Sequence, residues 1–227
     1  LHVVYHKLLP TNWHLIFITE FFNITPNPSS EDILKLKKWF WFTVYSNYFT
    51  IYNPSKRSKA FYQFRNYFLK TENEILYNDD PNVSFVSPKY KNTNLGSVRY
   101  CANLLFQLNK SINNQKIDSD NYIGYNTYKL FNISSKIIDD EFYEMANSVI
   151  LLDSFDFGYD FQNEKQKNLS FLLSNDYRDE FEEVFITNDM RDKFNGENFI
   201  EILQMRYKLI SQNERKFVES LGLIFEE

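Results

Sequence analysis

The chain has 227 residues, of which 43% are hydrophobic and 19% aromatic, and its formal net charge is -5. A chain of this length can bury a sizeable core, and 5 glycines and 6 prolines are too few for a β-sandwich with many turns. No stretch reaches the roughly 18 uncharged apolar residues of a membrane-spanning helix, so we expect no membrane partner. The single cysteine, Cys101, lies in an apolar helical pattern, which indicates a buried thiol and a reducing, cytoplasmic compartment.

The charge is distributed unevenly along the chain. Residues 1–120 hold 14 Lys and Arg against 9 Asp and Glu, whereas residues 121–227 hold 11 against 21. The first part could therefore face an acidic partner that the second part repels. An equally good interpretation is that these are two ordinary solvated surfaces that attract each other.

The first 76 residues predict three helices. Thr11 or Asn12 can cap a helix over 12–22, and Ser29 with Asp32 three residues later forms a variant of the capping box for a second helix. After the break at residues 53–54, Ser55 can cap a third helix. The inward residues that we expect on the first helix are Trp13, Ile16, Phe17 and Phe21.

The remainder of the chain predicts further helices and few strands. Residues 73–94 resemble a linker, followed by helices over 95–110, 127–133, 139–152 and 197–221 and a short strand over 184–186. We therefore expect a mainly α fold, an irregular helical bundle in two lobes with at most a few short strands. The predicted division is a basic, aromatic-rich lobe (1–76), a linker (77–94) and an acidic helical lobe (95–227).

A search for catalytic chemistry gives negative results. His2 and His6 have helical metal-ligand spacing, but no third ligand or base lies near them in the sequence. Carboxylates at 139–141, and at Asp153 and Asp156, are more typical of helix caps than of an acid–base pair. The chain has no glycine-rich phosphate loop. We predict no catalytic residue, no metal site and no cofactor in this chain.

One segment combines cations with aromatic residues. Lys56, Arg57, Lys59 and Arg65 alternate with tyrosines and phenylalanines in a predicted helix. Such cations can contact phosphates, and Tyr62 or Tyr67 could stack on bases. The alternative is a solvated helix whose aromatic residues belong to the core.

The last predicted helix carries a cation on its apolar face. Phe199, Leu203, Ile210 and Phe217 form one stripe, and Arg206 lies on it. Because an unpaired buried charge is costly, we predict a structural salt bridge between Arg206 and a carboxylate of the acidic half.

Three segments carry a resemblance to a known family. LKKWFWFTVYSNYFTIYNPSKRSKAFYQF (36–64), EMANSVILLDSFDFGYDFQNEKQKNLSFLLS (144–174) and NFIEILQMRYKLI (198–210) occur in that order. They resemble the middle and C-terminal region of the GmrSD-type restriction proteins, also called domain of unknown function 262. The matching positions are Asn147, Leu151, Leu152, Lys167, Leu172, Phe199, Arg206 and Ile210.

The resemblance implies NTP-dependent restriction of foreign DNA in bacterial or phage defence. The family has an N-terminal nucleotide module and a C-terminal His-Asn-His-type nuclease, and this chain has the motif of neither. The nuclease motif would fall near residues 116–128, where Asp118, Asn121 and Tyr122 would be its degenerate remains. Without a histidine there, a metal-activated hydroxide lacks its general base.

We therefore hypothesise a non-catalytic C-terminal fragment that holds or recognises DNA for a catalytic module outside this chain. A scaffold or oligomerisation lobe that packs on a missing N-terminal NTPase module is the first alternative. A divergent metal-dependent DNA endonuclease is the second, and it would need a divalent ion near Asp118, Asp120 or Asp153.

Overall fold

The computed structural model describes residues 9–51, 54–71, 86–87, 98–113, 125–133, 143–152 and 168–225, and the fold is mainly α, as predicted. The helices are α1 (Asn12–Ile24), α2 (Ser30–Tyr45), α3 (Tyr48–Ile51), α4 (Pro54–Phe68), α5 (Val98–Asn113), α6 (Tyr143–Asn147), α7 (Asn188–Lys193) and α8 (Phe199–Ser220). Short 3₁₀ turns cover Ser170–Leu173, Asn175–Tyr177 and Glu182–Val184.

Two small ladders complete the described elements. Strand β1 (Val86–Ser87) pairs in parallel with β4 (Ile224–Phe225). Strands β2 (Tyr125–Lys129) and β3 (Ser148–Leu152) are antiparallel, with Tyr125 opposite Leu152 and Lys129 opposite Ser148. The expectation of at most a few short strands is confirmed for these residues.

The β2–β3 ladder corrects two predicted helices, those over 127–133 and 139–152. Helix α6 ends at Asn147, and the next five residues, SVILL, form a strand. A short apolar run fits a buried strand as well as a buried helix, and Val149 and Ile150 are β-branched. The strand predicted over 184–186 is also wrong, because residues 182–184 form a 3₁₀ turn.

Local signals placed the first helices well. Asp32 donates its backbone N–H to Ser29 Oγ at 3.1 Å and accepts the Ser29 N–H at 3.0 Å, which completes the predicted capping box. Helix α4 begins at Pro54, two residues earlier than expected for a helix capped by Ser55, so Ser55 lies in the first turn rather than at the cap. Proline suits the first helical position because its missing N–H would have no intrahelical partner there.

Helices α1, α2 and α4 pack through aromatic rings. The Phe17 ring centroid lies 5.4 Å from that of Trp39 on α2 and 5.2 Å from that of Phe61 on α4. Phe21, one turn further along α1, meets Phe68 at 4.7 Å, so α1 and α4 run parallel. Helix α2 runs antiparallel to both, because Thr43 meets the start of α1 and Lys35 lies over the Tyr67 ring near the end of α4.

Helix α5 lies at the centre of the described structure. All its residues from Tyr100 to Leu108 are buried, and it contacts α2, β3 and the 182–184 turn. One core cluster joins α5 and Val218 of α8 to the aromatic residues of α1, α2 and α4, thus combining both sides of the predicted linker. The domain boundaries themselves stay a prediction, since most of 77–94 lies outside the described residues.

Helices α5 and α8 meet through buried polar side chains. Arg99 donates two hydrogen bonds to the Glu214 carboxylate, from Nη1 to Oε1 at 3.0 Å and from Nη2 to Oε2 at 3.1 Å. The Tyr45 hydroxyl donates to the same carboxylate at 2.8 Å. Two turns away, Gln107 Oε1 accepts from Arg206 Nη2 at 3.0 Å. The order of these pairs shows that the two helices are antiparallel.

His14 takes an inward position that the sequence assigned to Ile16. Ile16 is 45% exposed, whereas His14 is buried in line with Phe17 and Phe21. Its Nδ1 lies 2.9 Å from Thr11 Oγ1, and its Nε2 lies 3.3 Å from Thr43 Oγ1. Burial lowers the pKa of His14 to about 3, although a hydrogen bond with Thr11 acts in the opposite direction.

We expect His14 to make folding sensitive to acid. Between the unfolded pKa of 6.5 and the folded pKa of about 3, the unfolded chain binds more protons. Stability from this group is therefore complete above pH 6.5 and falls by up to about 1.4 kcal/mol per pH unit below it. His14→Gln should flatten the dependence of the free energy of unfolding on pH between 6.5 and 4, measured by urea denaturation. Parallel curves for the two proteins would contradict this.

The Arg99–Glu214 pair should behave as a coupled unit. Removing either partner leaves the other charge buried, which typically costs about 3–5 kcal/mol. Because the double replacement Arg99→Met/Glu214→Leu leaves no buried charge, it should cost much less than the sum of the single changes. The measurement is a double-mutant cycle on the free energy of unfolding.

The matched control is the exposed pair Lys193–Asp189, whose Nζ and Oδ2 atoms lie 3.3 Å apart. Its coupling should be below about 1 kcal/mol, as for other exposed pairs. Equal coupling energies in the two cycles would show that burial does not set the strength of the Arg99–Glu214 pair.

Candidate nucleic-acid interface

Helix α4 carries the predicted DNA-contacting cations and is anchored by one face. Ala60 and Phe64 are buried, and Phe61 and Phe68 pack against the same core cluster. The polar residues of α4 lie on its other sides. Its exposed or half-buried residues include lysines, tyrosines and Gln63.

The structure does not place the four predicted cations on one face. At about 100° per residue, Lys56 and Arg65 are nine positions apart and lie on opposite sides of α4. Arg57 lies on the side that packs against α1, with its guanidinium carbon 5.6 Å from the centroid of the Trp13 ring. On the same side of α4, Arg65 Nε is 3.3 Å from Glu20 Oε1. Arg57 and Arg65 thus contact α1 within the same chain.

Lys59 belongs to a different group of cations. Going around α4 by helical periodicity, it shares a side with Lys56, Gln63 and Tyr67. Lys70 lies in the turn after α4, where its charge contributes to the lowered pKa of Asp32 at the start of α2. Helix α2 lies next to this side, since Lys35 Nζ is 5.9 Å from the centroid of the Tyr67 ring. Lys38 follows Lys35 at i+3 and therefore lies on the same side of α2. We define the basic face by its lysines, which are Lys35, Lys38, Lys56, Lys59 and Lys70.

Two carboxylates lie at one end of the basic face. Lys35 Nζ is 2.7 Å from Glu31 Oε1, and the hydrogen bond and charge of Lys35 lower the pKa of Glu31. Hydrogen bonds from Ser29 lower the pKa of Asp32, with a smaller contribution from the charge of Lys70. Because these acids lie at the start of α2, they reduce the positive electrostatic potential near Lys35 and Lys70. Lys56 and Lys59 are at the opposite end of α4.

The two candidate stacking tyrosines differ in exposure. Tyr67 is half-buried, with its ring edge-on to Phe68 at a centroid distance of 5.2 Å. Tyr62 is 64% exposed. Of the two predicted rings, only Tyr62 offers most of its surface to a ligand.

Arg206 is buried, but its partners are not the predicted carboxylate. Its guanidinium donates to the carbonyl oxygens of Ala146, of Ser148 at 2.9 Å and of Val184 at 2.9 Å, besides Gln107. Carbonyl dipoles at the α6–β3 junction and in the 182–184 turn thus replace the expected ion pair. Burial lowers the pKa of Arg206 to about 9, so the side chain stays charged at pH 7. The buried carboxylate on the same helix, Glu214, pairs instead with Arg99.

A second polar cluster was not predicted from the sequence. Lys129 Nζ contacts Glu144 Oε2 and donates to Ser148 Oγ at 3.3 Å, and the Tyr100 hydroxyl lies 3.1 Å from the same Oγ. This grouping resembles an activated serine, but Ser148 is fully buried and Lys129 is paired with Glu144. The register of β2 on β3 places Lys129 opposite Ser148, while Tyr100 comes from α5 and Glu144 from α6. Their contacts fit a structural role.

Several predicted residues cannot be compared with the structure. Asp118, Asn121 and Tyr122 lie outside the described residues, as do His2, His6, Asp153, Asp156 and the acids at 139–141. Within the described ranges, no three His, Cys, Asp or Glu side chains are grouped as a metal site would need. Cys101 is buried as expected, and burial raises the pKa of its thiol.

In comparisons with known proteins, the chain matched no family model, no curated protein and no solved structure. The resemblance to the GmrSD-type proteins therefore stays an expectation from short motifs. No helix among the described residues has the length and apolar character required to cross a membrane.

Arg206→Met should be strongly destabilising. It leaves the carbonyl oxygens of Ala146, Ser148 and Val184 and the Gln107 amide oxygen without their charged donor. Since each unsatisfied buried group costs about 1–3 kcal/mol, we expect the free energy of unfolding to fall by at least about 3 kcal/mol. The control Lys208→Met, at an exposed position of the same helix, should change the free energy of unfolding by less than about 0.5 kcal/mol. Similar urea midpoints for the two variants would contradict the conclusion that the buried hydrogen bonds of Arg206 stabilise the fold.

Proposed function

We propose that this chain binds DNA through the basic face of α2 and α4 and holds it for a catalytic module outside the chain. The role is that of a non-catalytic, cytoplasmic part of a GmrSD-like restriction protein. The observation that carries the proposal is the grouping of five lysines on α2, on α4 and in the turn after α4. The family context rests on the sequence resemblance alone.

The shape of the basic face suits a nucleic-acid backbone. Lys56 lies near the start of α4 and Lys70 just after its end, and the 15 residues of α4 span about 22 Å. Duplex DNA carries one charge per about 1.7 Å of its axis, so several phosphates lie within that span. Lysines that neutralise phosphates release counterions, and this contribution does not depend on base sequence.

The rest of the surface would favour one orientation of the DNA. Residues 176–183 carry Asp176, Asp179, Glu180, Glu182 and Glu183. Phe181 of this acidic segment belongs to a different core cluster from the residues of α2 and α4. It repels phosphates at distances comparable to the Debye length, about 8 Å at physiological salt. A net charge of -5 is thus compatible with DNA binding by one face.

One observation supports the alternative hypothesis that the chain is a scaffold. Leu15, Ile16 and Phe22 of α1 are each nearly half exposed, and Glu20 is the only ionisable residue of α1 besides the buried His14. Exposed apolar side chains of this kind occur at contacts with other proteins. A chain that binds no DNA but associates through α1 would fit that alternative.

The decisive measurement is a salt series with a triple variant. Lys38→Ala/Lys59→Ala/Lys70→Ala removes three charges from the basic face. The logarithm of the DNA-binding constant falls linearly with the logarithm of salt concentration, and this slope should flatten by up to about 0.9 for each phosphate that is no longer neutralised. Fluorescence anisotropy with labelled duplex and single-stranded DNA gives the slope.

The matched control is Lys193→Ala/Lys208→Ala/Lys216→Ala, with the same change of charge on α7 and α8. Its slope should stay near that of the original protein. If both triple variants gave equal slopes, the change in slope would reflect net charge alone. The basic face would then no longer be the proposed binding surface. Absence of binding at low salt by the original protein would overturn DNA binding itself.

A further inference from the structure

Tyr62 is an aromatic ring placed between two cations on the solvent side of α4. It is 64% exposed, although its neighbour Phe61 packs against the core. Lys59 and Arg65 flank it at i−3 and i+3, so their side chains start about 5–6 Å from that of Tyr62. The row formed by Lys59, Tyr62 and Arg65 winds around the outside of the helix.

Such a row meets duplex and single-stranded nucleic acid differently. In a duplex the bases are stacked inside, and a ring on a convex helix reaches only the backbone. In a single strand the bases can turn outward, and an exposed ring can stack on any of them because every base has a π-face. Cations on both sides of the ring can then contact the phosphates that flank the stacked base.

We propose that the α4 surface binds single-stranded nucleic acid, with an unpaired base stacked on Tyr62 and phosphates held by Lys59 and Arg65. This inference rests on the proposed function and names its substrate class. Arg65 contributes by moving from Glu20, which it meets at 3.3 Å, to a phosphate. Both side chains of that pair border solvent, with 48% of Arg65 and 17% of Glu20 exposed, so the exchange needs no buried group to move.

Tyr67 serves as an internal comparison. It lies on the same helix, but its ring is half-buried beside Phe68 and has Lys35 over it. It cannot offer an open face to a base without displacing these neighbours. The stacking function is therefore assigned to Tyr62 alone of the two.

The test compares Tyr62→Ala with Tyr62→Phe in the full chain, using labelled oligothymidine and a duplex of mixed sequence in anisotropy titrations. Tyr62→Ala should weaken binding to the single strand roughly 5- to 150-fold, which corresponds to the stacking of one base. Tyr62→Phe keeps the ring and should bind as the original protein does. Duplex binding should be the same for all three proteins. Thermal unfolding should also be unchanged, because Tyr62 is exposed.

The outcomes separate this inference from the proposal beneath it. If the protein binds DNA with the expected salt slope but Tyr62→Ala changes nothing, DNA binding stands and the stacking role is overturned. Equal weakening on duplex and single strand would also overturn it, since that result indicates a backbone contact. If neither DNA is bound by the original protein, the proposed function and this inference fail together.

Discussion

The described structure depends on the contact between α5 and α8. Here two charged residues of α8, Arg206 and Glu214, are buried two turns apart and pair with Gln107 and Arg99 of α5. Arg206 also holds the α6–β3 junction and the 182–184 turn through their carbonyl oxygens. A shift of α8 by one turn would leave buried charges without partners, which costs more than any packing gain from the shift. These polar contacts thus define one register, while the apolar clusters on both sides supply the burial that drives folding.

The same core determines which cations of α4 face outward. Burial of Ala60 and Phe64 determines which side of α4 faces the core. Arg57 also faces inward, because it lies one helical turn before Phe61, which packs against the same core. Its aliphatic stem and planar head suit a place against Trp13, as arginine commonly stacks on aromatic rings. Lysines at other angles remain near solvent and join those of α2. The basic face is therefore a consequence of how α1, α2 and α4 pack. Helix α4 carries both aromatic residues that pack and cations that remain near solvent.

Much of the helical architecture was predictable from local signals. The Ser29–Asp32 capping box and the end of α8 before Gly222, whose φ is 83°, follow from short motifs. Thr11 precedes α1 as expected, although its side chain makes no capping hydrogen bond. The β2–β3 ladder was not predictable, because its strands are short and the second is an apolar run that also fits a helix. For the candidate site, the sequence grouped Arg57 and Arg65 with lysines that lie on other sides of α4.

Local sequence was enough to establish that the fold is mainly helical and that Arg206 needs partners, because helix periodicity and the cost of an unpaired buried charge act within a few residues. The identity of those partners depends on how distant segments pack. Carbonyl oxygens from 146, 148 and 184 reach Arg206 through chain segments far apart in sequence, and Arg99 takes the nearby carboxylate of Glu214 from 115 positions away. The same holds for the basic face. Spacing places cations on a helix, but the angle at which that helix packs determines which of them meet solvent.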